Sequence, residues 1–552
     1  MVISEKKIKR NIRSISSEVL NGENYNRSDF ARSLLNYPAM MVPSVQEPII
    51  EELSDVLNNE VSLLDPFMGA SNTLVTGMKY GMNVFGQDIN PLSLLLSQVK
   101  TTYYLKEELD EAEARIINSI NIDQSHFIEV TFPNIDKWFT KNVQIDLSKI
   151  FRAINKEPII KIRKFFWVVL AEVIRLTSND RTSTFKMHMR SLEDIRTREI
   201  SVLKTFASVS KKNIKNISDY IAVLSLKGYI KEGKYLKETE VIWGDTNKEI
   251  RTTKSFNLLV TSPPYGDNQT TVTYGQFSYL PLQWIPVQDI DNDIDLNYLE
   301  NTQIIDTRSL GGQIKSNINN IEDIIFSKSR TLKRFVTQFK DAERKKAEKV
   351  TRFIYDLDKS IDNMLPKMEK GSFMVWTIGN RNVNKQMVHN DLILRELFAS
   401  KGVNIFTDFD IRTMSDLLSL IFKMNEQLDL QFNSEKNAQG NIIPDTLNIS
   451  FQNPLINEKL SAYVTFLEQM ANTEEAEYNQ ALTELENQLL DDNTDIHKTP
   501  VSSSDTFHSP SFTNPTYQNL LNLLSDCSPQ ELEWIFKSAQ LTKDCMRNKN
   551  NS

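Results

Sequence analysis

The sequence predicts an α/β fold: a doubly wound, mostly parallel sheet, interrupted by a helical insertion and followed by a polar C-terminal extension. Short apolar runs at Val61–Leu64, Leu258–Val260 and within 83–88 and 371–381 lead into Asp65, Ser262-Pro263-Pro264, Asp88 and Gly379-Asn380 respectively. That is the pattern of strands buried on both faces of a parallel sheet. Between them, apolar residues at helical spacing recur in residues 36–104 and 238–422, the alternation that builds βαβ units. Residues 105–237 drop the alternation and read as helices, and beyond residue 423 the chain turns polar.

Composition bounds the function. At 552 residues, 40% hydrophobic and 25% charged, the chain has room for two or more domains and a large core. No apolar run reaches membrane-spanning length, and the first residues lack the apolar stretch of a signal peptide, so a cytoplasmic location and no membrane partner are expected. The two cysteines, Cys527 and Cys545, exclude a disulfide scaffold and a multi-cysteine zinc site. Five scattered histidines give no metal-binding spacing, and no catalytic metal is expected. The formal net charge is −8, yet Asp136–Lys237 holds 22 Lys and Arg against 10 Asp and Glu. A basic middle with an acidic tail leaves a nucleic-acid partner open.

In chain order, residues 1–35 are a weakly patterned arm. Tyr37-Pro38-Ala39 is a fixed turn that leads into a helix over Val45–Leu57. Val61–Leu64 forms a strand, Asp65-Pro66-Phe67-Met68-Gly69 a turn, and Asn72 opens a helix that ends near Tyr80-Gly81. A second strand ends at Asp88, about 20 residues after the first loop, where a carboxylate suits the ribose hydroxyls of a nucleotide-like cofactor. Gly-x-Gly-x-x-Gly is absent, which disfavours a nicotinamide cofactor.

The insertion reads as helices over Leu105–Ile120, Asp146–Ile154, Ile159–Leu176 and Ile200–Leu226. Its aromatic residues Trp138, Phe139, Phe165, Phe166 and Trp167 are assigned to the core, and the stretch Ser178–Arg198 is polar and basic. A strand then ends at Gly244-Asp245. The strand Leu258–Val260 runs into Thr261-Ser262-Pro263-Pro264-Tyr265, where two prolines stop it and fix the adjoining loop. That loop offers a hydroxyl, an immobile carbonyl and an aromatic face, a set that suits a planar ring bearing an exocyclic amine. Gly266–Gly275 is a dense polar stretch, a lid or base-reading loop or else an internally satisfied turn. Residues 286–330 show no periodicity, Gly311-Gly312 marks a flexible turn, and Lys328–Lys349 is expected as one basic helix, with a further helix over Phe353–Leu365. Helix Leu392–Phe398 and strand Val403–Phe409 complete the pattern. In the extension, Pro500–Tyr517 reads as a linker and 517–546 as one or two short helices.

Ser262-Pro263-Pro264-Tyr265 resembles the catalytic motif of the amino-methyltransferases, which methylate exocyclic amines of DNA bases with S-adenosylmethionine. The leading Ser resembles the cytosine-N4 branch; Asp or Asn leads in the adenine-N6 branch. Asp65-Pro66-Phe67-Met68-Gly69 resembles that family's cofactor loop but departs from it at Ser71 and Asn72, where the family has Gly and Thr. A positive φ at Ser71 would carry a strain cost. Gly86-x-Asp88-x-Asn90-Pro91 and Gly244-Asp245 are similar to later motifs of the same family.

The resemblance covers residues 36–420. It implies a Rossmann-like methyltransferase fold, S-adenosylmethionine as cofactor, double-stranded DNA as substrate and a cognate restriction endonuclease as functional partner. It also implies catalytic roles for Ser262, Pro263, Pro264 and Tyr265, and cofactor contacts at Tyr37, Asp65, Pro66, Phe67, Gly69, Asp88, Asn90, Asp245 and Thr261. Residues 36–104 and 238–422 would form the two halves of the catalytic domain, and 105–237 an insertion that contributes to DNA binding. DNA adenine-N6 methylation is the first alternative, followed by methylation of RNA or of a protein amide and by a silent DNA-binding subunit.

Overall fold

The computed structural model describes residues 10–12, 15, 34–38, 43–57, 60–182, 186–313, 317–411, 417–423, 431–433 and 448–450. The expected linker at Pro500–Tyr517, the helices at 517–546 and most of the N-terminal arm lie outside the described residues. The chain divides into two units, residues 1–425 and 426–552. Within the second, Gln431–Asn433 pairs antiparallel with Asn448–Ser450.

The first unit opens with helix α1 (Pro43–Leu57), strand β1 (Ser62–Asp65), helix α2 (Asn72–Lys79), strand β2 (Asn83–Asp88) and helix α3 (Pro91–Thr101). Asn90 caps α3 by accepting from the Leu92 N–H at 3.0 Å, and Pro91 fills the first turn, where no backbone donor is needed. Four long helices come next: α4 (Lys106–Ile122), α5 (Lys141–Asn155), α6 (Ile160–Thr177) and α7 (Val202–Leu226). Helix α6 packs on α3, α5 and α7 and buries Phe165, Phe166 and Trp167 completely, so these aromatics are core. The Trp167 indole donates to Asp289 at 2.7 Å, which satisfies its one buried donor.

The chain returns to the sheet with β3 (Thr239–Trp243) and β4 (Phe256–Thr261), then α8 (Tyr274–Trp284), α9 (Ile318–Lys328), α10 (Arg330–Thr337) and α11 (Asp341–Met364). The single basic helix expected over Lys328–Lys349 is instead three elements. Ser329 caps α10 by accepting from Leu332 N–H at 3.1 Å, and Asp341 adopts φ +49° where α11 begins. Both devices break the helix where lysine and arginine spacing alone shows no break. Strand β5 (Met368–Gly379), helix α12 (Asn390–Ala399), β6 (Asn404–Ile411) and β7 (Leu417–Lys423) complete the unit.

Seven strands form one sheet in the order β6-β7-β5-β4-β1-β2-β3. The five from β3 to β5 are parallel; β7 is antiparallel to both β5 and β6. Successive residues face opposite layers, as the two-residue period of a strand requires. Leu63, Leu258, Val260, Phe373 and Val375 enter one core with α2, α3 and the four insertion helices. Leu64, Leu259, Met374, Trp376 and Ile378 enter the other, with α10, α11 and α12. From β1 the chain winds outward to β2 and β3, then returns to place β4 on the other side of β1. That reversal opens a crevice at the carboxyl ends of β1 and β4. Among the described residues no helix is long and apolar enough to cross a membrane.

Candidate active site

A cleft of about 880 Å3, counted to its open mouth, occupies that crevice. Of the residues singled out from the sequence, Tyr37, Asp65, Pro66, Phe67, Gly69, Asp88, Asn90, Asp245, Ser262 and Pro264 line it. Thr261, Pro263 and Tyr265 do not.

Asp65 ends β1, only 2% exposed. Its Oδ1 accepts from the Thr261 hydroxyl at 2.8 Å and the Phe67 N–H at 3.2 Å. Thr261 is fully buried, so it acts through Asp65 and not on the cleft directly. Burial pushes the Asp65 carboxyl up to about 6, against the pull of the Thr261, Thr73 and Phe67 bonds. Asp88 ends β2 and accepts from Gly69 N–H at 2.9 Å and Asn90 N–H at 2.8 Å, one on each oxygen. A carboxylate oxygen has two acceptor sites, so Asp88 organises the loop and still has capacity for a ligand hydroxyl. Burial raises Asp88 and Asp245 as well. Tyr37 bonds Asn90 at 2.9 Å and stacks on Tyr274 with centroids 5.8 Å apart.

The loop between β1 and α2 is held from beneath by one face of α3. The Ser93 hydroxyl donates to Gly69 O at 2.6 Å, and the Lys100 ammonium to Ala70 O at 2.6 Å and Asn72 Oδ1 at 3.5 Å. Ser71 stands at φ +61°, and its hydroxyl donates to Ser97. The left-handed conformation costs a residue with a Cβ about 1 kcal/mol, and the buried hydroxyl contact offsets it. The departure from Gly is thus tied to a serine one helix away. Ser93, Ser97 and Lys100 recur at i, i+4 and i+7 on a largely apolar helix, a polar stripe whose purpose becomes clear only once α3 is docked under the loop. Replacement of Lys100 by Met removes the buried donor to Ala70 O. A stability loss of about 1–3 kcal/mol is expected, read by urea denaturation.

The loop after β4 is clamped by β5, by Arg381 just past its end and by Asn390 at the start of α12. Asn390 donates to Tyr265 O at 3.0 Å and Gly379 O at 2.7 Å. Arg381 pairs with Asp267 at 3.6 Å and donates to Thr270 Oγ1 at 3.2 Å. Tyr265 lies flat against Gly379, where a Cβ would come within 2.8 Å of the ring. Its hydroxyl is hydrogen-bonded to Ser262 Oγ at 2.9 Å. Either hydroxyl can donate in this pair; when the phenol donates, Ser262 Oγ keeps a lone pair for a ligand N–H. Burial pushes the phenol up to about 12, which keeps it a donor at neutral pH.

Met68, Asn72, Thr73, Thr246, Asn268, Tyr274, Ile305, Ser309 and Leu310 complete most of the wall. Ile305, Ser309 and Leu310 come from the segment without periodicity, and only tertiary packing brings them in. Gly311, expected as a flexible turn, is tightly packed: at φ +72° its missing Cβ would meet the Phe353 backbone at 2.8 Å. Gly311 N–H donates to Asp356 at 2.8 Å. Asp306, 1% exposed, accepts from Gly275 N–H at 3.0 Å at the start of α8.

In the basic stretch, Arg198 donates to Ser178 O at 2.8 Å and to Leu176 O, capping the last turn of α6. Arg190 donates to Asp180 O at 3.0 Å. Part of this charge therefore serves the fold, while Arg181 remains exposed.

The chain is 31% identical over 397 residues to the type II methyltransferase M.MvaI of Kocuria varians, a match spanning 70% of this chain and 85% of that protein. It is 27% identical over 132 residues to the type II methyltransferase M.MjaII of Methanocaldococcus jannaschii, covering 22% of this chain and 24% of the relative. No family model matches the chain, and no solved structure matches it. A related protein matched over most of its own length, with motifs that converge on one crevice, places this chain in the type II methyltransferases, the DNA methyltransferases of restriction–modification systems.

Proposed function

We propose that the protein transfers a methyl group from S-adenosylmethionine to the exocyclic N4 amine of a flipped cytosine in double-stranded DNA, protecting it from a cognate restriction endonuclease. The observation that carries this reading is Ser262: its hydroxyl lies on the wall of the same cleft that Asp65, Asp88 and Asp245 line. The cleft's three carboxylates at or just past the strand ends, Asp65 buried and Asp88 and Asp245 half-buried, fit a nucleoside-bearing amino acid. In this reading Asp65 receives the ammonium, Asp88 the ribose hydroxyls and Asp245 the adenine end, with Tyr37, Pro66, Phe67, Gly69 and Asn90 shaping the walls. Thr261 holds the Asp65 carboxylate in place.

The cofactor supplies an electrophilic methyl; the rest is positioning by the chain. The base leaves the duplex to enter the cleft. Tyr265 stacks on it, while Ser262 Oγ and the Pro263 carbonyl accept from the amine N–H groups. Those bonds draw the nitrogen lone pair out of conjugation and fix its direction. Of the three residues only Ser262 lines the cleft, so this reading requires the Tyr265 ring and the Pro263 carbonyl to become accessible as the base enters. Pro264 keeps the loop rigid, so little reorganisation is needed when the amine reacts. Exposed cations of Ser178–Arg198 support binding to phosphates.

Sequencing that detects modified bases, on genomic DNA from cells expressing the protein, tests the reading against a Ser262→Ala control. N4-methylcytosine at one short motif, lost in the control, is the expected result. N6-methyladenine would overturn the assignment of the base, and no modification would overturn the activity.

A further inference from the structure

Asn268 carries a polar atom that neither the fold nor the motifs explain. It lines the cleft, is 3% exposed, and its carbonyl oxygen Oδ1 has no hydrogen-bond partner. A buried acceptor without a donor is uncommon in a folded protein and calls for one. The Asn268 side chain is among the groups that pull the Asp306 carboxyl down against burial, the effect of an amide NH2 turned toward it. A flipped amide would set oxygen against oxygen, so the carbonyl end must be the unpartnered one.

The rest of the environment holds this side chain still. Asp306 is itself fixed by the Gly275 N–H at 3.0 Å. On the other side, Asp267 is tied to Arg381 at 3.6 Å and accepts from Thr270 N–H at 3.2 Å and Thr270 Oγ1 at 2.6 Å. Asn268 therefore sits between two anchored points, four residues beyond Pro264 and in the same cleft as Ser262. With an anionic carboxylate behind its NH2 group, the amide is polarised toward its oxygen, which strengthens that oxygen as an acceptor for an electron-poor N–H.

We infer that Asn268 Oδ1 is a binding residue for an amine N–H that enters the cleft. This rests on the methyltransferase reading above. Two amines have that chemistry: the ammonium of the cofactor's amino-acid end and the exocyclic amine of the base.

The test uses the full chain and the Asn268→Leu variant, which keeps the side chain's volume and removes the acceptor. S-adenosylhomocysteine and 5′-methylthioadenosine, which lacks the amino-acid end, are titrated by calorimetry. Methyl transfer to genomic DNA from a non-expressing host is measured at saturating cofactor. A 10- to 100-fold loss of S-adenosylhomocysteine affinity, with methylthioadenosine unchanged, supports the inference and identifies the cofactor's ammonium. Unchanged binding of both ligands with a 10- to 100-fold lower kcat supports it and identifies the base. Equal weakening of both ligands with a lowered Tm would show a structural role and overturn it, as would no change in any quantity. Asn268→Ser, with a smaller acceptor, should recover part of the loss. A wild-type chain that neither binds S-adenosylhomocysteine nor transfers methyl would overturn the methyltransferase reading instead.

Discussion

Replacing Tyr265 with Ala is expected to lower methyl transfer by about 10- to 100-fold or more while leaving cofactor affinity within about twofold. Stacking a base on an aromatic ring contributes about 1–3 kcal/mol, and the ring also bonds Ser262 at 2.9 Å. Loss of the side chain removes the stacking face and frees the serine hydroxyl to rotate. Tyr265 is not part of the cleft lining that holds Asp65, Asp88 and Asp245, so cofactor binding should persist. Radiolabelled methyl transfer together with calorimetric titration of S-adenosylhomocysteine separates the two quantities. If cofactor affinity falls as far as activity, Tyr265 is holding the cleft together and the stacking role is wrong. Tyr265→Phe, which keeps the ring and loses the hydroxyl, should lie between wild type and Ala.

Asp65→Asn should give the second large effect, with stability and function moving in opposite directions. Burial raises the folded-state carboxyl to about 6 from its ordinary value of 3.8. A carboxyl with a raised folded pKa binds more protons when folded, so stability falls as pH rises from about 4 to 6. Above that window the charged Asp65 costs the unliganded protein about 3 kcal/mol, at about 1.4 kcal/mol per pH unit. Asparagine has no charge to desolvate. Unliganded Asp65→Asn should therefore melt at or above the wild-type temperature at pH 7.5, and lose part of the stability gain that wild type shows on acidification. Its affinity for S-adenosylhomocysteine should fall at least about tenfold, because the ammonium loses a charged acceptor. Scanning fluorimetry between pH 4.5 and 8 and calorimetry at pH 7.5 measure both. Undiminished affinity would remove Asp65 from the cofactor site. Asp306 is likewise pushed up to about 6 by burial, so some acid stabilisation should survive in the variant.

The sequence alone determined the strands and the ends where they stop. Leu258–Val260 had to be a buried strand, and Pro263-Pro264 had to end it, because proline removes donors and fixes φ. Val61–Leu64 and the run to Asp88 were legible for the same local reason, and the structure places strands at Ser62–Asp65 and Asn83–Asp88. Their carboxyl-end acids converge because parallel strands all deliver their ends to one edge. The aromatics of Ile160–Thr177 were readable as core because apolar residues cover most faces of that helix.

What the sequence did not determine lies where long-range packing decides. Ile305, Ser309 and Leu310 join the cleft from a segment with no periodicity, placed by a glycine against Phe353 and by a carboxylate at Asp356. Thr261 was readable as a neighbour of the site, but only the structure shows its hydroxyl spent on Asp65. The cost of Ser71 was foreseeable from its φ requirement, whereas its relief by Ser97 needed α3 docked beneath the loop. The unpartnered carbonyl of Asn268 is a property of tertiary structure alone, since a sequence names a polar residue but not which of its atoms finds a partner.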